Sequence, residues 1–372
     1  MRNLPLVTHV IPTLARGGAE RIVIELCARL PARGFRTHLL VLYEHGDLWR
    51  ELRERNIRFT QVGGSFDMRR FDLYRRLSRR IYAEPERRPA IVHSHLYGPD
   101  VWTAVARSFH SAGHVISGRC ASEPAFLSTL HNVDRDDTSF QRAARRWALR
   151  RMDRVITVSK DVQRYAVEDL GVKPDRVTHI DGIIFPSNIP RGTRPFRDVP
   201  QFLMVARLEQ QKGHETVLQA LALVPPPWEL RIAGTGSLER DLKEQTERLG
   251  IASRVRFLGE IDTVPDELER ADLFLFPSRW EGMGLAALEA MAAGVPVLAS
   301  DLPPLRDVVP SASRLPPDAP AEWRAAITKV LADSNAAVRL AQDSAQAVTR
   351  RFDVERVTSE YAKIYRELLN ST

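Results

Sequence analysis

A chain of 372 residues with 44% hydrophobic and 27% charged content has the make-up of a globular protein long enough for roughly two domains. It holds no apolar run of about 18 residues, which excludes a membrane-spanning helix, and its two cysteines, Cys27 and Cys120, are too few for a disulfide framework or a zinc cluster. The net charge of +7 favours acidic partners in general: phosphorylated small molecules, nucleic acid or anionic lipid.

Leu6 to Ile11 opens the chain as an apolar strand, without the charged-then-apolar layout and cleavage site of a signal peptide, so cytoplasmic residence is expected. A loop with Gly17 and Gly18, a helix from Ala19 to Leu30 and a strand from Thr37 to Leu42 follow. Between Arg69 and Arg88 arginines crowd together, with Leu73, Tyr74, Leu77 and Ile81 interleaved at helical spacing. That pattern fits a basic amphipathic helix on an anionic membrane surface, or a surface helix whose apolar stripe packs on its own sheet. Further strands are predicted at Ala90 to His93, Val115 to Ser117, Phe126 to Leu130 and Arg154 to Val158, with helical patterns between most of them. Strands alternating with helices predict an α/β fold with a doubly wound parallel sheet.

Polar, proline-bearing residues from Pro186 to Pro200 interrupt the pattern, and a linker is placed at 187–199 between a domain over 1–186 and a second over 200–353. The second series has strands at Phe202 to Val205, Glu229 to Ala233, Val255 to Leu258, Leu273 to Phe276 and Val295 to Ala299. Its helices run from Glu215 to Leu223, Leu238 to Leu249 and Leu285 to Ala293, and Ser237 is a candidate cap for the second of them. Val354 to Leu369 closes the chain as an amphipathic helix.

The segment Phe276 to Ser300 concentrates the chemistry. Gly282 and Gly284 stand at a helix start, where free N–H groups and the positive end of the helix dipole favour an anion such as a diphosphate. Glu281 lies just ahead of that turn, and Glu289, one turn beyond Leu285, leans back toward it. The motif follows an apolar strand, and the carboxyl ends of parallel strands are where open α/β sheets bind ligands. In the loop after Phe202 to Val205, Arg207 and Lys212 form a basic pair able to grip a diphosphate from two sides. Lys212 is the more telling, because lysine is scarce here.

Taken together, the P-S-R-W-E-G-M-G-L-A-A-L-E-A-M-A-A-G-V-P-V run resembles the E-x7-E signature of retaining nucleotide-sugar glycosyltransferases, glycosyltransferase family 4. The loop Arg207 to Gly213 resembles that family's phosphate clamp, with Ala206 in place of the usual glycine, and Gly17-Gly18-Ala19-Glu20-Arg21 resembles its first glycine loop. The resemblance implies the GT-B fold, two Rossmann-like doubly wound domains facing each other across a cleft, with the last helix crossing back to the first domain. It implies that Arg207, Lys212, Gly17, Gly18, Gly284 and Leu285 bind the donor diphosphate. Glu281, Gly282 and Met283 would bind the donor sugar, Glu289 the ribose, and the backbone of Leu258 and Gly259 the base. Glu281 and His131 would be the catalytic residues, and His95 and Asn132 would lie on the acceptor side.

The resemblance thus implies a retaining, metal-independent transferase that moves a sugar from a nucleoside diphosphate sugar, UDP ahead of GDP, to a glycan or lipid-linked acceptor. The implied setting is bacterial cell-surface polysaccharide or glycolipid synthesis, on or near the inner membrane face. No cofactor is expected, since the nucleotide-sugar is a co-substrate. His93 and His95 in V-H-S-H raise metal binding, but no Asp or Cys stands at ligand spacing. The one D-x-D triplet, Asp134-Arg135-Asp136, sits in a polar stretch and reads as a solvated loop or helix start. Two other functions fit the same residues: a nucleotide-sugar epimerase or hydrolase, and a non-catalytic nucleotide-sugar-binding subunit. No nucleic-acid-reading signature is present.

Overall fold

The computed structural model describes residues 4–15, 17–43, 46–63, 70–82, 88–117, 123–134, 137–184, 194–261 and 263–371. The chain divides into two compact units, Met1–Ile183 with Val354–Thr372, and Ile184–Asp353.

In the first unit the elements run β1 (Leu6–Ile11), α1 (Gly18–Arg29), β2 (Arg36–Val41), α2 (Trp49–Glu54), β3 (Phe59–Gln61), α3 (Arg70–Tyr82), β4 (Ile91–His95), α4 (Tyr97–Ser117), β5 (Ala125–Leu130), α5 (Ser139–Leu149), β6 (Arg154–Thr157), α6 (Lys160–Arg164) and β7 (Val177–His179). The second unit continues with β8 (Gln201–Val205), α7 (His214–Ala222), β9 (Glu229–Ala233), α8 (Glu239–Arg248), β10 (Val255–Gly259), α9 (Val264–Arg270), β11 (Leu273–Phe276), α10 (Leu285–Ala292), β12 (Val297–Ser300), β13 (Arg314–Leu315), α11 (Pro320–Ala332) and α12 (Ser334–Arg351). The chain then returns to the first unit as α13 (Val354–Ser371).

Both sheets are wholly parallel. Their strand orders are β3-β2-β1-β4-β5-β6-β7 and β10-β9-β8-β11-β12-β13. Parallel pairing requires a crossover between neighbours, and helices on both faces bury the central strands, so the central runs of the second sheet are apolar and not alternating, whereas β1 and β4 of the first also bury histidines. β11 and β12 are buried at every position. In the second unit Phe202, Trp228, Leu273, Leu298, Trp323 and Ile327 share one core. Each sheet reverses its winding once, between β1 and β4 and between β8 and β11, and such a switch point leaves a crevice at the strand carboxyl ends.

The predicted strand at Val115 to Ser117 is the end of α4. Its short β-branched run matched a strand locally, but it continues a helix begun at Tyr97, which buries Ala104 and Ala106. The edge strands β3, β7 and β13, two or three residues each, were too short to show a period. Of the stretch assigned to a linker, 187–193 lie outside the described residues, whereas Arg194 and Arg197 both donate to the buried carboxylate of Asp272. Cys120, Arg69, Arg87, Arg135 and Asp136 also lie outside the described residues.

Candidate functional site

At the switch point of the second sheet, two loops meet that are far apart in sequence. The loop after β8 carries Arg207 to Gly213, and the loop after β11 carries Pro277 to Gly284. Gly213 has φ +62°, and a Cβ there would lie 2.2 Å from the Pro277 carbonyl oxygen, so only glycine allows the loops to touch. Gln211 Nε2 donates to Trp280 O at 2.8 Å, and Arg279 N donates to Gln211 O at 2.8 Å. Arg279 also donates to the Gln210 carbonyl and, through Nε, to Asp318 Oδ1 at 2.8 Å.

That seam sets the central contact: Lys212 Nζ stands 2.5 Å from Glu281 Oε1, with both side chains largely buried. Lys212 also lies 6.0 Å from the centre of the Phe276 ring. Arg207 is exposed at the mouth of the loop and reaches Gln211 Oε1 at 3.5 Å.

Beyond Glu281, Gly284 caps α10 at φ +78°, where a Cβ would lie 2.8 Å from Leu305 Cδ2. No side chain caps the helix, and its first backbone bonds run from Ala287 N and Leu288 N to Gly284 O. The N–H groups of Leu285 and Ala286 therefore precede the intrahelical ladder, in the position that suits an anion. Gly282 and Met283 are buried in the turn. Glu289, on α10, is 6% exposed.

The remaining predicted residues of this unit are placed as follows. Leu258 and Gly259 end β10, half-buried, and Gly259 O accepts from Gly234 N at 2.7 Å. Ser237 does not cap α8, whose cap is Leu238; its hydroxyl and N–H both bond the Glu209 carboxylate. His214, not singled out from the sequence, opens α7 directly after Gly213 and is fully buried. Neither of its ring nitrogens has a partner among the described residues. Burial first, then the nearby Lys212 and Arg279 cations, push its pKa down to about 4, so the ring is neutral.

The first unit's switch point is lined by imidazoles. His9 on β1 is in register with His93 on β4, and His95 ends the same strand. His131 follows β5. His9 Nδ1 is 3.1 Å from His95 Nε2, and His95 Nδ1 is 3.0 Å from His131 Nε2. His93 bonds Tyr365 of α13 through Nδ1 and Thr129 of β5 through Nε2, each at 2.8 Å. Burial lowers the pKa of His9 to about 3 and of His131 to about 4, and drives His93 and His95 well below the ordinary histidine range. The group is uncharged.

His9, His93 and His95 offer nitrogens within 4.8 Å of one another, the grouping among the described residues that could hold a metal ion. His93, however, spends both nitrogens on hydroxyls, and His95 spends both on other histidines. Sequence reasoning saw His93, His95 and His131 but not His9, because parallel pairing across 84 residues leaves no local signal.

His95 was expected on the acceptor side. It is fully buried and bonded to His9 and His131. Asn132 is half-buried and turns its Oδ1 onto Val133 N at 2.9 Å. Gly17 is the N-cap of α1 and Gly18 its first residue, and the Glu20 carboxylate folds against Gly17, a negative group already at this helix start. Asp134 pairs with the buried guanidinium of Arg145, and Asp137 lies 3.4 Å from the same group. On α3, Leu73, Leu77 and Ile81 are buried, whereas Arg75, Arg76, Arg79 and Arg80 are exposed. The apolar stripe is thus covered by its own unit. No helix of the described residues is long and apolar enough to cross a membrane.

Two parallel, doubly wound sheets, one with a helix start open to an anion at its switch point, are the architecture that comparison with known proteins also finds. Residues 16–184 match the family model described as Glycosyltransferase Family 4, and residues 187–347 the model described as Glycosyl transferases group 1. By fold the chain is GT-B, and each of its two units matches a glycosyltransferase family model. The lipopolysaccharide core biosynthesis mannosyltransferase LpsB of Rhizobium meliloti is 36% identical over 179 residues, 44% of this chain and 50% of that protein. The glycogen synthase of Mycobacterium tuberculosis is 34% identical over 233 residues, 60% of this chain and 56% of that protein. The chain therefore spans about half the length of the curated relatives it matches. The crystal structure of Anabaena HepE in complex with UDP and glucose superposes with a TM-score of 0.82 at 20% identity, covering 98% of this chain and 100% of that one.

Proposed function

We propose that this protein is a retaining, metal-independent glycosyltransferase. It moves a sugar from a nucleoside diphosphate sugar, UDP-linked in preference to GDP-linked, to a glycan or lipid-linked acceptor in bacterial cell-surface polysaccharide or glycolipid synthesis. The observation that carries the reading is the 2.5 Å contact between Lys212 and Glu281. In a sugar nucleotide the anomeric carbon is one oxygen from a phosphate. A cation for that phosphate and a carboxylate for the neighbouring sugar hydroxyls must then stand side by side, as these two do.

On this reading Arg207, Lys212 and the Leu285 end of α10, capped by Gly284, hold the diphosphate, with Gly17 and Gly18 serving the same group from the first unit. Negative charge grows on the leaving diphosphate in the transition state, and preorganised cations and N–H dipoles stabilise it without reorganising. Glu281, with Gly282 and Met283, binds the sugar, His131 acts on it from the first unit, and Glu289 takes the ribose. The backbone of Leu258 and Gly259 meets the base, and Asn132 lies toward the acceptor. Retention follows from front-face attack assisted by the leaving phosphate. The mannosyltransferase and glycogen synthase names of the relatives, and the UDP and glucose in the HepE complex, support a nucleotide-sugar donor.

A thermal-shift screen against UDP-, GDP-, ADP- and CDP-sugars tests the donor, with a UDP-sugar expected to stabilise the protein most. A screen in which no nucleotide-sugar raises the melting temperature would sink the reading. Association with an anionic membrane surface rests on the exposed Arg75, Arg76, Arg79 and Arg80 alone, since the apolar stripe of α3 is covered. Changing those four to Glu should abolish co-sedimentation with anionic vesicles, and unchanged binding removes the membrane from the proposal.

A further inference from the structure

The three imidazoles His9, His95 and His131 stand in line, each sharing one nitrogen with the next at 3.0–3.1 Å. Burial keeps all three neutral, so each ring carries a single proton. A neutral His95 that accepts at Nε2 must donate at Nδ1, and one that donates at Nε2 must accept at Nδ1. The row therefore has only two states. Either all three rings are protonated on Nδ1, and His131 presents an N–H at its remaining nitrogen, or all three are protonated on Nε2, and His131 presents a lone pair.

His9 Nε2 decides between them. It is buried and has no partner among the described residues. In the second state it would be an orphaned N–H; in the first it is only an unused lone pair. Unpaired buried N–H groups are the rarer of the two in folded proteins. His93, the neighbour that could have drawn this cluster into a metal site, is committed to Tyr365 and Thr129, which leaves the row to hydrogen bonding.

We propose that His9 and His95 are positioning residues that fix His131 as its Nδ1–H tautomer, so that the ring offers the substrate sugar a hydrogen-bond donor and never an acceptor. The functional half of this inference rests on the sugar-transfer reading above; the tautomer itself does not.

The test is a two-bond 1H–15N correlation spectrum of the full chain labelled with 15N-histidine, recorded without donor. Nδ1 should be the protonated nitrogen in His9, His95 and His131. His9→Leu removes the donor at the head of the row and should shift His131 toward Nε2–H. His9→Asn, whose amide N–H stands near the lost Nδ1–H, should keep His131 as wild type. In steady state His9→Leu should lower kcat by about tenfold or more while the donor KM stays within about threefold, as loss of an oriented proton donor predicts. His9→Asn should restore most of kcat, which a merely structural role for His9 would not distinguish. An Nε2–H signal on His131 in the wild type overturns the proposal, and so does a His131 tautomer indifferent to His9→Leu. A stoichiometric bound metal that is lost in His9→Leu overturns it as well. If the tautomers follow the expected pattern but no nucleotide-sugar is turned over, the relay stands and the sugar-transfer reading has failed.

Discussion

The two switch points occupy the same place in the same kind of sheet, yet one is built from neutral rings and the other from charges. Between β1 and β4, His9, His93 and His95 are wholly enclosed, uncharged and bonded to one another or to hydroxyls. Between β8 and β11, Lys212 and Glu281 face each other as ions, with Arg207 at the rim and a bare helix start beside them. A hydrogen-bonded row of neutral rings can set which atom carries a proton but supplies no charge. A preformed ion pair holds two opposite charges in fixed places, which on the proposed function serve a diphosphate and its sugar. The comparison separates orientation from electrostatics along the chain.

The largest expected effect falls on the charged side. Lys212→Ala removes the cation and leaves Glu281 buried alone, so kcat should fall about 10²–10³-fold in a donor-turnover assay. Stability should fall on the order of 3 kcal/mol by urea unfolding, the cost of stranding one partner of a buried pair. A variant with wild-type turnover would erase the contrast between the two sites.

Acid should act on the neutral side. Each buried histidine binds its proton more weakly in the folded chain than the ordinary 6.5, so the unfolded chain takes up more protons as pH falls. Their stabilisation is full above pH 6.5 and is lost as pH falls toward about 4. Asp100, raised to about 6 by burial against the lowering bonds from Ser94 and Ser128, runs the opposite way and stabilises more as pH falls through 6. One carboxyl opposes four imidazoles in the first unit, so the histidines win, whereas the second unit has His214 alone. Hydrogen exchange should show β1 and β4 losing protection between pH 6.5 and 4 before β8 and β11 do. Equal loss in both units would break the distinction.

Smaller effects sharpen the charged site. Gly213→Ala places a Cβ 2.2 Å from a backbone oxygen at positive φ and should cost about 2 kcal/mol by parting the two loops. Isothermal titration should show weaker UDP binding as well as a lower unfolding midpoint. Glu289→Ala, at the proposed ribose contact, should weaken UDP by about tenfold, the worth of a hydrogen bond to a charged group, and an unchanged dissociation constant would remove Glu289 from that role.

The second unit was the more legible from sequence. Its strands are apolar runs bounded by glycine and proline, and most of its candidate site residues lie in two short motifs, each directly after a strand. That the two motifs of the second unit meet was implied by the family resemblance and not by the residue pattern itself, because adjacency in a parallel sheet follows strand order and not sequence distance. Arg279 and Gln211, which join the two loops, carried no signal of their own, and His9 looked like one polar residue in an apolar strand. Val115 to Ser117 misled for a different reason: three β-branched or small residues satisfy a strand pattern, whereas the helix that contains them is set by the preceding turns.

Helix α13 adds a matter of timing. It follows the whole second unit in the chain, yet Tyr365 and Tyr361 complete the interior of the first, one bonding His93 and the other touching Thr129. On a ribosome making about 5–20 residues per second, the stretch 184–353 takes roughly 10–30 s to emerge. Through that interval β1 and β4 have been made but His93 still lacks its phenol. The contiguous second unit can finish folding first, and the half of the molecule that is synthesised first is the last to close.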